Sequence, residues 1–157
     1  MGLSLLLAFS IVHPVSAENS TSQKIDMKSS QAKVSTSKVN AKLTKQFEDS
    51  DYVTYLVKMK EQVDTSAVSK QAMEKATIEK QTASATKLSV RNSVVSTLRE
   101  TASRTQYTLE SYLEKEVDKG NVKEYKSYFI VNSLAVTSTK EVMEQIALLP
   151  EVEKVLP

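Results

Sequence analysis

The chain has no cysteine and no tryptophan, and its one histidine is His13. Without cysteine there is no disulfide framework, no thiol nucleophile and no cysteine-ligated zinc. His13 sits in an apolar N-terminal stretch that reads as removable, and a chain without it holds no imidazole. A Ser-His-Asp triad, a Cys-His pair and a histidine-based metal site then drop out together. Glycine is almost as scarce, with only Gly2 and Gly120. Neither a G-x-G-x-x-G turn nor a P-loop is possible. No Gly or Pro occurs between Val15 and Lys119. The 6 Tyr and 3 Phe are the only aromatics, which leaves a sugar pocket little to stack on. No catalytic, cofactor-binding or metal-ligating set is expected.

What is present begins with an apolar run, LSLLLAFSIV, over residues 3–12. A bilayer-spanning helix needs about 20 apolar residues, so this run is too short to span stably. It matches the apolar region of a secretory signal, although no Lys or Arg precedes it. Pro14 breaks the helix, and Val15-Ser16-Ala17 places small residues around a cleavage point after Ala17. Residues 1–17 are read as a signal peptide, with the mature chain secreted, the cell wall included, and not stably inserted in a membrane.

Residues 18–50 are rich in Ser, Thr and Lys, with scattered Ile25, Met27, Val34, Val39, Leu43 and Phe47. Such a composition buries too little surface to offset its ordering entropy, so the segment is expected to be a polar linker carrying a helical turn near 40–48. It holds six lysines against four acids, which leaves 51–157 with 15 charges of each sign. A balanced domain without a basic run offers no footprint for nucleic acid.

Within 51–157 the patterns alternate. YVTYLVKM, residues 52–59, has a period of two, with Val53, Tyr55, Val57 and Met59 on one face and Thr54, Leu56 and Lys58 on the other. Asp64-Thr65-Ser66 supplies N-cap types. Residues 66–119 contain no breaker and are expected to be helical, as one very long helix or as two joined near 81–86. Gly120 follows as the terminating glycine. A hairpin is expected from strands at 124–131 and 134–137, turning at Asn132-Ser133. Ser138-x-x-Glu141 fits a capping box for a short helix over 139–149, which Pro150 ends. A last strand is expected at 152–156. The order is β-α-β-β-α-β, a ferredoxin-like α+β fold with an unusually long first helical region. Both helices then cover one sheet face and leave the other bare.

The run FIVNSLAVTSTKEVMEQIALLPEVEKV, residues 129–155, resembles the propeptides of subtilisin-like serine proteases, through the hairpin at Asn132-Ser133, the K-E-V-M-E-Q-I helix, Pro150 and the V-x-x-V strand at Val152 and Val155. Tyr55-Leu56-Val57-Lys58-Met59 resembles the first strand of the same family. The resemblance implies an inhibitor domain over 51–157 that is non-catalytic. It implies an intramolecular chaperone for a subtilisin-like protease, acting in cis or in trans. The sheet face of Thr54, Leu56, Lys58, Tyr128 and Ile130 would lie on the enzyme, and Leu156 and Pro157 would lead toward its active site. Because the sequence stops directly after the last strand, inhibition is expected to be modest.

Two competing readings remain. One is a secreted helical surface or adhesion protein built on 66–119. The other is an enzyme, but Ser30-x-x-Lys33, Ser35-x-x-Lys38 and Ser84-x-x-Lys87 are chance matches in a chain rich in Ser and Lys, and no K-T-G completes them. The acid pairs Glu114/Asp118 and Glu141/Glu144 stand at helical spacing and read as solvated faces.

Overall fold

Residues 37–157 are described by the structure, a computed structural model. The expected signal segment and residues 18–36 lie outside the described residues. In chain order the elements are α1 (Ala41–Asp49), β1 (Val53–Met59), α2 (Thr65–Ile78), α3 (Ala83–Asp118), β2 (Val122–Tyr128), β3 (Ser133–Ser138), α4 (Lys140–Leu148) and β4 (Val152–Leu156). The strands form one sheet in the order β2-β3-β1-β4, and every neighbouring pair is antiparallel. This is the α+β arrangement expected from the alternation of patterns.

The sheet's inner face carries the period-two apolar set. Val57, Met59, Leu134, Val136, Val152 and Val155 are fully buried, as are Leu109 and Leu113 of α3 and Ile146 and Ala147 of α4. At about 25 cal/mol per Å² of apolar surface removed from water, this single cluster is the main favourable contribution to folding. Tyr55 belongs to it, and its hydroxyl shares a 2.6 Å hydrogen bond with Ser138 Oγ. Burial pushes the Tyr55 phenol well above the ordinary tyrosine range. A folded-state value raised above the unfolded value of about 10 means that this contribution is complete at neutral pH and is lost as pH rises past about 10. Tyr55→Phe is expected to flatten that alkaline loss and to cost about 0.5–1.5 kcal/mol at pH 7. Urea denaturation of both proteins between pH 7 and 11 checks it; parallel curves for the two would contradict it.

The long helical region is two helices. Asp64 caps α2, accepting from the Ser66 and Ala67 amides at 3.0 Å each. The helix ends with Lys80 in the left-handed region at φ 52 and with the Gln81 amide donating to the Ala76 carbonyl at 3.0 Å. Glycine usually fills that position, so its absence left one helix or two open in the sequence; the break falls at 79–82, at the start of the 81–86 join that was one of the two expectations. Thr82 then caps α3, a helix of 36 residues and so about 54 Å long. Ala72 and Ala76 are buried where α2 packs back on the first half of α3. This helical arm lies outside the sheet core, which α3 reaches through Leu109 and Leu113, with Tyr112 packed against it. At the other end of α3, Gly120 has φ 78, the Gly120 amide donates to the Val117 carbonyl and the Asn121 amide to the Glu116 carbonyl, both at 2.9 Å. That is the expected glycine stop.

Three expectations are corrected. The linker reading of 18–50 fails for its last part, where the helical turn expected near 40–48 is present as α1 but is packed into the domain. Leu43 is fully buried, Phe47 packs on Tyr55 with ring centroids 6.4 Å apart, and Val39 bridges to Val155 in parallel. Leu43 and Phe47 stand four residues apart, so α1 offers them on one stripe, and Val39 joins them from the extended segment just before the helix. Ser138 does not cap α4, because its hydroxyl is committed to Tyr55; Thr139 precedes the helix and makes no side-chain cap bond. The strand expected at 124–131 runs instead from Val122 to Tyr128, and 129–132 form the turn. Pairing of Tyr128 with Ser133 closes the ladder there. Ile130 therefore lies on the turn and not on the sheet. Phe129, on the same turn, is half-buried, with the Arg99 guanidinium 5.1 Å from its ring.

Candidate functional site

All three helices that touch the sheet core lie on its inner face, so among the described residues no element covers the outer one. Register decides what the outer face shows, because directly paired residues point the same way. Leu56 pairs with Ala135 on β3 and with Leu156 on β4. These three make an apolar row across the middle of the sheet, and Lys126 extends it on β2. On one side of the row lies the Thr54–Thr137 pair, whose hydroxyls are 2.8 Å apart. On the other lie Lys58 and, across β3, Tyr128. The structure thus brings Thr54, Leu56, Lys58 and Tyr128 onto one face, as expected, and adds Ala135, Thr137 and Leu156. Only the β3 residues were invisible as face members in the sequence, since LAV is too short to show its phase.

The charges on this face are partly spent internally. Lys58 Nζ stands 2.8 Å from Glu153 Oε2, and that ammonium holds the Glu153 carboxyl below the usual carboxylate range. Lys126 lies over the Tyr128 ring at 5.5 Å. What remains is a surface with an apolar centre flanked by Lys126 and by Lys154, which pairs in register with Lys58, an arrangement suited to binding a complementary surface. Pro157 follows directly on the last paired residue, Leu156.

Where the hairpin turns, the structure holds a buried polar knot. Asn132 sits at φ 36 and is 2% exposed. Its Oδ1 accepts from Gln106 Nε2 at 2.8 Å, and its Nδ2 donates to the Glu61 carbonyl at 2.7 Å. Its own carbonyl accepts from the Met59 amide at 3.1 Å, and Gln106 Oε1 accepts from the Ser127 hydroxyl. Thr105 Oγ1 also reaches Asn132 Oδ1, at 3.3 Å, so Gln106 is the shorter of two donors to that buried oxygen. Gln106→Ala is therefore expected to cost about 1–3 kcal/mol in urea denaturation. An unchanged midpoint would show the knot to be passive.

Among the described residues no group of His, Cys, Asp or Glu could hold a metal ion, and no helix is long and apolar enough to cross a membrane.

A four-stranded antiparallel sheet with its helices on one face and a bare apolar row on the other defines a small α+β binding domain. The model of the peptidase inhibitor I9 family matches residues 54–157, and the chain belongs to that family. It is 36% identical over 158 residues to bacillopeptidase F of Bacillus subtilis (strain 168), an alignment that covers 99% of this chain and 11% of that protein. The chain thus spans about a ninth of the length of this curated relative. No solved structure matches it. The domain is a non-catalytic inhibitor of the subtilisin-propeptide type, and the helical surface-protein reading is set aside.

Proposed function

We propose that this domain docks its bare sheet face on a subtilisin-like serine protease, inhibits it, and serves it as a folding chaperone, in cis or in trans. The observation that carries the reading is the apolar row Leu156–Leu56–Ala135 on an otherwise polar, uncovered face. Burying that row against a partner removes apolar area from water at a site already flat and held by two central strands. Thr54, Thr137 and Tyr128 supply a polar rim, and Lys58, paired with Glu153, is presented in a fixed position. β4 carries Leu156 and Pro157 to the edge of this face, from which the chain leads toward the active site of the docked enzyme. Export through the segment 1–17 would bring the domain to the extracellular side, where such proteases act.

The test is titration of the purified chain against a purified subtilisin-like protease with a small chromogenic peptide substrate. Saturable loss of rate, together with faster recovery of activity when the denatured protease is diluted with the chain present, is expected. A chain that neither slows substrate turnover nor aids recovery would refute the reading.

A further inference from the structure

The turn between β2 and β3 is built against the usual rule. Turns favour Gly, Pro, Asn, Asp and Ser. This one reads Phe129-Ile130-Val131-Asn132, and Ile130 and Val131 are 68% and 55% exposed. Two large apolar side chains side by side at a protein's tip are costly in water and unexplained by the fold, because neither joins the core.

The stem beneath them is rigid. Asn132 is tied through its side chain to Gln106 of α3 and to the Glu61 carbonyl, and through its carbonyl to the end of β1. Ser127, at the base of the other arm of the hairpin, donates to Gln106. Phe129 is held under Arg99. A buried, fully engaged polar network fixes geometry more than it adds stability. Here it holds the two exposed residues in one place, which lowers the ordering cost of any contact they make.

The tip also continues the sheet face. Tyr128 lies on that face and precedes the turn directly, with 39% of its surface exposed. Four strands at about 4.8 Å spacing and about six residues long give a flat footprint of roughly 400 Å². A stable interface buries about 800 Å² per partner, so the sheet alone falls short.

We infer that Ile130 and Val131 form an apolar anchor that inserts into a hydrophobic depression on the same protease, beside the helices or loops that meet the sheet face. This rests on the docking proposed above and adds a second, separable contact to it. The anchor is small and preorganised, so its contacts carry a low ordering cost.

The experiment measures the inhibition constant of the chain and of the double variant Ile130→Ser/Val131→Ser against one purified subtilisin-like protease, with a thermal melt of each. The double variant is expected to melt with wild type and to inhibit about 10–100-fold more weakly. If the pair lowers the melt, Ile130→Ser alone, at the more exposed position, is compared instead and is expected to weaken inhibition about 10-fold. Inhibition unchanged in the variant, while Leu56→Glu abolishes it, would overturn the anchor and leave the sheet docking intact. No inhibition by the wild-type chain would overturn both. Sedimentation of the wild type as a dimer that the double variant dissolves would assign the tip to a second copy and likewise overturn the anchor.

Discussion

Truncating Leu134 to alanine is expected to remove about 2–5 kcal/mol of stability, a large share of the 5–15 kcal/mol typical of a domain. Leu134 is fully buried on β3, paired with Val57 on one side and Ser127 on the other. Its side chain enters the cluster where α3 and α4 meet the sheet, and neighbours fixed by two strand ladders cannot move in to fill the space. The cost should therefore lie toward the upper end of the range. Phe129→Ala is the informative contrast. Its ring is half-buried on the turn beneath Arg99, so its loss should cost well under the about 3–5 kcal/mol of a core phenylalanine. Urea denaturation of the two variants side by side checks the pair. A Phe129 variant that falls further than the Leu134 variant would mean that the hairpin turns elsewhere.

Leu56→Glu should act on binding with little effect on folding. Leu56 is on the outer face, its backbone is paired on both sides, and its neighbours include Lys58, Lys126 and Lys154. A carboxylate there meets positive charge in the free domain, so the fold tolerates it. In the docked complex the same carboxylate would be pressed into the apolar row and stripped of water. Burying an uncompensated charge costs several kcal/mol, which corresponds to at least a hundredfold loss of inhibition. Circular dichroism and the inhibition constant together separate the two effects. Retained inhibition at wild-type strength would move the docking surface away from this face.

Much of the sheet was legible because alternation is a strong signal. YVTYLVKM gave both faces of β1, and Pro150 with V-x-x-V gave the last strand. Gly120 marked the end of the long helical region because φ 78 is easy only for glycine. The break between α2 and α3 was legible only as one of two alternatives, since Lys80 takes the left-handed position without the glycine that would have decided it. The helical turn of α1 was legible but its packing into the core was not, because Val39, Leu43 and Phe47 look scattered in a polar segment unless they are counted in steps of four. FIV misled in the opposite sense. An apolar run reads as strand when nothing says that its partner strand has already begun to return, and only the pairing of Tyr128 with Ser133 shows it. Of the candidate surface, the residues of β1 and Tyr128 were readable, and Ile130 was right in being exposed and wrong in its place.

The position of β1 has a kinetic consequence. It is the first strand in the chain and the second from one edge of the sheet, and both of its neighbours come from near the end of the sequence. Val53 waits for Ser138, and Leu56 waits for Leu156. The α2–α3 arm and the β2–β3 hairpin close locally and quickly, on the microsecond scale of such elements. The β1 ladders close only after a long stretch of chain has been looped, at an entropic cost that local contacts do not repay. A newly made chain therefore carries a finished arm beside an unpartnered first strand until β3 has been made, and that strand stays paired on one side alone until the last five residues of the sheet arrive, so its slowest steps are the two long-range closures of the β1 ladders.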